Sequence, residues 1–336
     1  MDEDTDMTFP ATYSLDKGAF PMTICFPDAG TVGTDIDASV LSRFGNAVIY
    51  TATSPDEMPS RLADADIIVT NKSRLPASLL EKLPKLKLVC ITATGYDNVD
   101  TVYAKAHGIA VCNVEGYSTD SVAQVTVGTV LSLVNHAGEY DAFCKSGAYT
   151  ASGIQNRLTP VFHELAGKTW GIYGYGAIGQ KVGMIARAFG CELLVCKRTP
   201  INDVPCVTLA ELFEKSDIIS LHTPLNDGTR RSVNEEILSR AKPSLVLVNA
   251  ARGAVLDEEA VTRAVLEGRI AAFGTDVYDG EPMAADSPFT RLCGCGNVVF
   301  TPHMAWGAYE ARVRLMEEIL QNIASFLEGG SRGRVV

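Results

Sequence analysis

From Met22 onward, short apolar runs alternate with stretches of helical periodicity. Met22–Phe26, Ala47–Tyr50, Asp66–Val69, Leu86–Ile91 and Ile109–Cys112 are short and largely continuous in their apolar character, which predicts strands buried on both faces. Segments near Asp35–Phe44, Ala77–Leu83 and Val99–Ala106 supply helices between them. This alternation predicts a parallel sheet covered by helices. After Gly116 the pattern becomes one long, mostly apolar helical stretch from Ser118 to about Cys144, then a polar loop containing Ser146, Gly147, Ser152 and Gly153. A second strand series follows at Thr169–Tyr173, Leu193–Cys196, Asp217–Leu221, Leu245–Val248, Ala271–Thr275 and Val298–Phe300.

The tail from Gly307 to Leu327 sets Leu315, Ile319, Ile323 and Phe326 at the core spacing of a helix. Because it follows the last strand of the second series, it is expected to return to the first domain, which is then discontinuous. The expected architecture is α/β, with two doubly wound parallel-sheet domains. Residues 21–117 plus 308–336 form one, 118–307 form the other, and the polar, acidic residues 1–20 are a loose leader.

Composition narrows the partners. A chain of 336 residues suits two domains better than one. With 29 Lys and Arg against 40 Asp and Glu, the net charge of −11 argues against nucleic acid or an anionic membrane surface as the main partner. No apolar run approaches the length of a membrane span. The opening Met1-Asp2-Glu3-Asp4 lacks the charged and apolar regions of a signal peptide. Nine cysteines, an odd number lying mostly in apolar runs, predict free buried thiols and a cytoplasmic protein. Cys293-Gly294-Cys295 is the one close pair; it lacks a second pair at metal-ligand spacing, so no metal is expected.

Gly174-Tyr175-Gly176-Ala177-Ile178-Gly179 carries the first specific chemistry. The loop follows the apolar strand Trp170–Tyr173 and opens the helical run Ala177–Phe189, the context in which a G-x-G-x-x-G pattern binds a dinucleotide. Gly174 permits the tight turn, Gly176 lets a pyrophosphate approach the backbone, and Gly179 allows close packing of helix on strand. The helix N-terminus then offers free N–H groups to the phosphates. At the end of the next strand an acidic residue would accept the adenosine ribose hydroxyls. Lys197, Arg198 and Thr199 stand there instead. Two readings stay open: the cations bind a 2′-phosphate, which favours NADP(H), or they are solvated at a strand end and NAD(H) is used.

The motifs together resemble the D-isomer-specific 2-hydroxyacid dehydrogenases over nearly the whole chain from Met22. The resemblance rests on the glycine loop, on Ser220-Leu221-His222-Thr223-Pro224-Leu225 and on Val248-Asn249-Ala250-Ala251-Arg252-Gly253. It rests equally on Gly274-Thr275-Asp276-Val277-Tyr278-Asp279-Gly280-Glu281-Pro282 and Thr301-Pro302-His303-Met304-Ala305-Trp306. The run from Gly116 to Gln124 and the Ala305-Trp306 pair are most similar to the glycerate dehydrogenase/hydroxypyruvate reductase branch. The resemblance implies a flavodoxin-like substrate domain, a Rossmann dinucleotide-binding domain, a small 2-keto or 2-hydroxy acid as substrate, and a homodimer formed through the helix beginning at Ser118.

It also implies roles. His303 is the acid/base, Glu281 its partner and Arg252 the substrate-binding cation. The chemistry agrees, since reducing a 2-keto acid needs a hydride on carbon, a proton on oxygen and a fixed cationic fork for the carboxylate. Singly, each of the three also reads as an ordinary ion-pair, turn or loop residue. The resemblance further places Asp276 by the nicotinamide carboxamide, Thr223 and Ala250 along the cofactor, Ala177 and Ile178 in backbone contacts, and Thr126 near the nicotinamide end. For His222 a structural role and a contact to phosphate or ribose both stay open.

In the first domain, the Thr92–Asp100 segment follows a strand and enters a helix, so the N–H groups of Thr94, Gly95 and Tyr96 can receive a carboxylate, with Asp97 or Asn98 capping the helix. Asn71-Lys72 follows the Ile67–Val69 strand and can also face the cleft; for Lys72 a merely solvated position stays open. Competing functions are the same fold acting on a bulkier 2-keto acid, phosphite or formate, and a dinucleotide-sensing protein resembling transcriptional corepressors. Formate oxidation is disfavoured because it needs no general acid, and that branch has Gln at the position of Glu281. No long disordered tail favours the corepressor.

Overall fold

The computed structural model describes residues 22–336; the leader expected over residues 1–20 lies outside them. The chain divides into two compact units, the first ending at Ser118 and resuming at Gly307–Val336, the second spanning Thr119–Trp306.

The first unit contains β1 (Met22–Phe26), β2 (Gly45–Ile49), β3 (Ile67–Thr70), β4 (Leu88–Ile91) and β5 (Ala110–Cys112), with α1 (Met58–Leu62), α2 (Ala77–Leu80) and α3 (Thr101–Ala106). All strand pairs are parallel, in the order β2-β1-β3-β4-β5. That is the flavodoxin-like order. Every residue of β3, β4 and β5 is buried, which explains why these strands read as unbroken apolar runs.

Two local expectations change. Ala38–Phe44 is a 3-10 segment rather than an α-helix; its buried Leu41 and Phe44 are three residues apart, the spacing that eclipses on a 3-10 turn. Helix α3 is capped not by Asp97 or Asn98 but by Asp100, whose carboxylate accepts the N–H of Tyr103 at 2.8 Å. Asn98 is drawn away because its amide donates to the carbonyl of Ser73 at 3.0 Å.

In the second unit, α4 (Thr119–Val134), α5 (Ala137–Lys145) and α6 (Ala148–Ser152) lead into β6 (Thr169–Tyr173), α7 (Ala177–Ala188), β7 (Glu192–Cys196), α8 (Leu209–Lys215) and β8 (Ile218–Leu221). The series continues with α9 (Glu235–Leu238), β9 (Val246–Asn249), α10 (Glu258–Leu266), β10 (Ala272–Thr275) and β11 (Val298–Phe300). The parallel order is β11-β10-β9-β8-β6-β7. Outside β7, Val195 forms one parallel bridge to Cys206, with the Val195 N–H donating to Pro205 at 3.0 Å and the Val207 N–H to Val195 at 2.9 Å. Counting this minimal strand gives the 3-2-1-4-5-6 order of a Rossmann sheet plus β11. Pro205, with no N–H to donate, keeps it short.

The long helix expected from Ser118 to Cys144 breaks. His136 adopts a left-handed conformation, φ 51°, between α4 and α5. Helix α4 spends its apolar face inside its own unit, where Ala123, Val127, Val130 and Leu133 pack with Trp170, Ile172, Val182 and Val248. Gly128 lies exposed. The polar loop expected around Ser146–Gly153 contains α6, bounded by Gly147 and Gly153 at positive φ. Helix α5 buries no residue, and Tyr149, Ile154, Leu158, Val161 and Phe162 beyond it are exposed.

The chain returns to the first unit as α11 (Tyr309–Leu327), which buries Leu315, Ile319 and Ile323 but leaves Phe326 half-buried. The residues after it run antiparallel to β5, with Val335 donating to Val111 at 2.8 Å and Asn113 to Gly333 at 3.0 Å. All nine cysteines are free, as expected, but not all are buried, because Cys144 and Cys293 are exposed. No described helix is long and apolar enough to cross a membrane.

Candidate active site

Parallel strands bring their carboxyl ends to one edge of the sheet, and the expected residues of the second unit lie along that edge. The glycine loop joins β6 to α7. Gly174 has φ +92°, and a Cβ there would lie 2.5 Å from the backbone of His222 and Thr223. At Gly179 a Cβ would lie 2.3 Å from the carbonyl oxygen of Gly174, so helix and strand pack too closely for a side chain. Gly176 differs from both. A Cβ at Gly176 would meet no protein atom within 4 Å, which leaves open space beside the first turn of α7. The N–H groups of that turn, including those of Ala177 and Ile178, have no acceptor within the helix. Two glycines therefore serve the protein's own packing, while the third fits a phosphate-bearing ligand that comes close to the backbone.

The neighbouring β7 is followed by Lys197, half-buried, and Arg198, exposed. Neither side chain has a partner among the described residues. On the other side, β8 leads to His222 and the buried Thr223. Both ring nitrogens of His222 are buried without a hydrogen-bond partner among the described residues, and burial pushes its pKa down to about 3. The ring is neutral and is no candidate for the proton donor. Thr126, on α4, is buried and gives its hydroxyl to the carbonyl of Val122 at 2.8 Å, a bond within its own helix.

Beyond β9, Asn249 shapes the turn that carries Ala250 and Arg252. Its Oδ1 accepts the N–H of Ala251 at 3.0 Å and its Nδ2 donates to the carbonyl of Arg252 at 3.0 Å. Arg252 donates to the carbonyl of Ala251 at 2.8 Å and has no carboxylate partner among the described residues. Its charge is therefore left for an anion from outside. A Cβ at the next residue, Gly253, would lie 1.8 Å from the backbone of Tyr278, so the loops after β9 and β10 touch there.

The last two loops hold an imidazole against a carboxylate. His303 Nδ1 lies 2.5 Å from Glu281 Oε2. His303 has φ 51°, an uncommon conformation for a residue with a side chain. Its N–H donates to the carbonyl of Asp276 at 2.8 Å, and its carbonyl accepts the indole N–H of Trp306 at 3.0 Å. The Asp276 carboxylate accepts the Thr301 hydroxyl at 2.6 Å and the N–H groups of Met304 and Ala305, both at 2.9 Å. Asp276, expected beside a carboxamide, is thus also the fastening of the histidine loop.

The loop carrying Glu281 has its own anchors, which sequence reasoning missed. Glu258 accepts the Asp279 N–H and the Ser287 hydroxyl, both at 2.8 Å. Tyr278 donates its hydroxyl to the Thr301 carbonyl at 2.9 Å, and burial, with Asp276 and Glu281 nearby, pushes its pKa up to about 12. Tyr278 and Asn249 stand inside the motifs already quoted; Glu258 had no signal beyond being an acidic residue at a helix start.

In the first unit, Thr94 and Gly95 lie in the turn after β4. Their N–H groups, with that of Tyr96, have no acceptor among the described residues. Thr94 donates its hydroxyl to Val114 at 2.8 Å, and its carbonyl accepts from Asn113 at 2.8 Å.

A Rossmann sheet with a glycine loop and an Arg, Glu and His at the carboxyl ends of successive strands defines a dinucleotide-dependent dehydrogenase. Residues 127–305 match the family model described as D-isomer specific 2-hydroxyacid dehydrogenase, NAD binding domain. A hydroxypyruvate reductase of Blautia hydrogenotrophica is 36% identical over 88% of this chain and 93% of its own. Among solved structures, an NADPH-dependent glyoxylate/hydroxypyruvate reductase of Sinorhizobium meliloti, in complex with NADP and malonate, superposes with a TM-score of 0.80. It is 27% identical and the match covers 93% of this chain and 97% of that one. A D-lactate dehydrogenase of Aquifex aeolicus, complexed with NAD and lactic acid, gives 0.79 at 29% identity over 91% and 96%. The chain belongs to the D-isomer specific 2-hydroxyacid dehydrogenase family, and its cofactor is a nicotinamide dinucleotide.

Proposed function

We propose that this protein reduces hydroxypyruvate to D-glycerate, the reverse of a D-glycerate dehydrogenase reaction, or glyoxylate to glycolate. The observation that carries this reading is the 2.5 Å contact of His303 with Glu281 on the strand-end edge that also presents Arg252 without an acidic partner. The names of the Blautia and Sinorhizobium relatives support the substrate.

A nicotinamide dinucleotide, which Gly174, Gly176, Gly179 and the N–H groups of Ala177 and Ile178 would hold, would supply the hydride for the carbonyl carbon. Arg252 receives the substrate carboxylate and keto oxygen, orienting the carbonyl and stabilising charge that develops on oxygen. Glu281 holds Nδ1 of His303, which fixes the tautomer and leaves Nε2 to face the substrate. His303 Nε2 gives its proton to the oxygen, and the ring is left neutral. In the first unit, the N–H groups of Thr94 and Gly95 receive a carboxylate oxygen. Residues 118–307 are the NAD(P)-binding domain, which also carries Arg252 and His303, and residues 21–117 with 308–336 are the substrate-binding domain.

NADPH is the preferred form, because Lys197 and Arg198 leave two cations where a ribose-binding carboxylate would stand. The protein works in the cytoplasm as a homodimer. The surface that dimerises is the exposed apolar segment from Tyr149 to Phe162 rather than α4, whose apolar face is already buried. Turnover of hydroxypyruvate and glyoxylate, followed by nicotinamide absorbance with each cofactor, tests the reading. Absence of turnover with every 2-keto acid tried overturns it.

A further inference from the structure

The first unit holds a polar constellation that the reaction above does not use. Asp28 lies two residues beyond the end of β1 and is buried. It stands at the switch point between β1 and β3, where sheets of this order bind ligands. Its Oδ2 accepts the N–H groups of Lys72 and Ser73, both at 2.7 Å, the Ser73 hydroxyl at 2.9 Å and the Thr70 hydroxyl at 3.1 Å. The Asn71 N–H lies 3.2 Å from Oδ1 and 3.3 Å from Oδ2. Successive N–H groups arranged this way form a nest for an anion. Here the anion is a side chain of the same protein, so the nest serves to hold a loop rather than to bind a ligand.

The network continues from that loop. Asn71 Nδ2 donates to the Thr92 carbonyl at 2.7 Å and to its hydroxyl at 3.0 Å. Asn98 Nδ2 donates to the Ser73 carbonyl at 3.0 Å. Thr92 and Asn98 flank the turn that contains Thr94 and Gly95, so the loop clasped by Asp28 grips both ends of it.

We propose that Asp28 is a positioning residue for substrate binding: by filling the nest at residues 71–73 it fixes, through Asn71 and Asn98, the backbone of the Thr94–Gly95 turn. The inference rests on the proposed function for the role of that turn. Loss of the Asp28 charge leaves three N–H groups and two hydroxyls without their common acceptor, the loop opens, and the turn loses its fixed geometry. The effect falls on the keto acid and spares the dinucleotide, whose glycine loop belongs to the other unit.

Steady-state kinetics of Asp28→Asn in the full chain test this. The KM for hydroxypyruvate rises about tenfold or more, the loss expected when hydrogen bonds to a charged acceptor fail, while kcat and the KM for the dinucleotide change less than about threefold. In Asp28→Ala, added formate refills the nest and lowers the raised KM, against its effect on the unsubstituted protein as reference. A folded Asp28→Asn with unchanged KM for the keto acid, or with equal rises for both substrates, overturns the proposal. Should Asp28→Asn not fold, Asn98→Ala cuts only the tie to the turn; it raises the same KM, and an unchanged value overturns the proposal. If the unsubstituted protein reduces no 2-keto acid, the functional reading fails separately. Amide hydrogen exchange then decides: Asp28→Asn speeds exchange at residues 71–73 and at Val99, whose N–H donates to the Tyr96 carbonyl at 3.2 Å, if the coupling exists, and exchange unchanged at Val99 overturns it.

Discussion

Asp276 and His303 are joined backbone to backbone, the N–H of His303 donating to the Asp276 carbonyl at 2.8 Å, while the Asp276 carboxylate takes the N–H groups of the two residues after the histidine. One acidic side chain thus holds the imidazole loop in a conformation that its backbone would not choose alone. Asp276→Asn keeps the size and loses the charge. With bonds to a charged acceptor contributing about 1.5–3 kcal/mol each, the variant is expected to unfold at lower temperature and to lose roughly tenfold or more in kcat. Unchanged kcat in a variant of lowered stability would show that the loop geometry does not depend on Asp276.

The imidazole itself is tested by His303→Ala, for which a fall in kcat of roughly 100- to 10,000-fold is expected, the usual worth of a positioned proton donor. Near-unchanged kcat in a folded His303→Ala would count against the role.

The three glycines of the phosphate loop separate packing from binding. Gly176→Ala adds a methyl group where no protein atom lies within 4 Å, so its thermal stability should match the parent while dinucleotide affinity falls about tenfold or more. Gly179→Ala forces a methyl group to within 2.3 Å of a backbone oxygen and should be destabilised before any ligand is added. Equal melting and equal affinity in the two variants would contradict this division.

Lys197→Ala with Arg198→Ala should raise the KM for NADPH while leaving that for NADH nearly unchanged, because only the 2′-phosphate loses its charge partners. Titration of both cofactors against both proteins measures it. Parallel changes for the two cofactors would assign the basic pair to solvent.

His222 gives stability a pH dependence with a definite sign. Its pKa is about 3 in the folded chain against an ordinary 6.5. Above both values the ring is neutral folded or unfolded and contributes no slope. Between them the unfolded chain takes up a proton that the folded chain refuses, so stability falls as pH drops, by about 1.4 kcal/mol per pH unit. Denaturant unfolding of the protein and of His222→Gln should differ by a constant above neutral pH and by a shrinking margin below about 6.5. A constant difference at all pH values would place His222 in a solvated setting.

Strands were the most legible part of the fold because those buried on both faces are written as unbroken apolar runs, and the glycine loop was legible because its spacing and its flanks agree. What escaped were features set by contacts distant in sequence. The αL turn at His136 has no glycine to announce it, so α4 and α5 read as one helix. The bridge at Cys206 is a single residue pair, too short for any periodicity. Arg252, Glu281 and His303 stood out by chemistry and by motif, but their supports did not. Asp276 fastens a loop more than twenty residues downstream, and Glu258 holds the Glu281 loop from the start of α10. Asp28 is legible only as a lone acid after a strand until the loop that folds around it is seen.

The one-bridge strand at Cys206 has a consequence for how this protein can change. Between Lys197 and Pro205 the chain is pinned at both ends by the Val195 bridge, and Val204 is its fully buried contribution to the core. The side chains of Lys197 and Arg198 stand outside that core. Swapping them leaves the sheet and its packing intact, so these two positions are open to drift or redesign at little expense to folding.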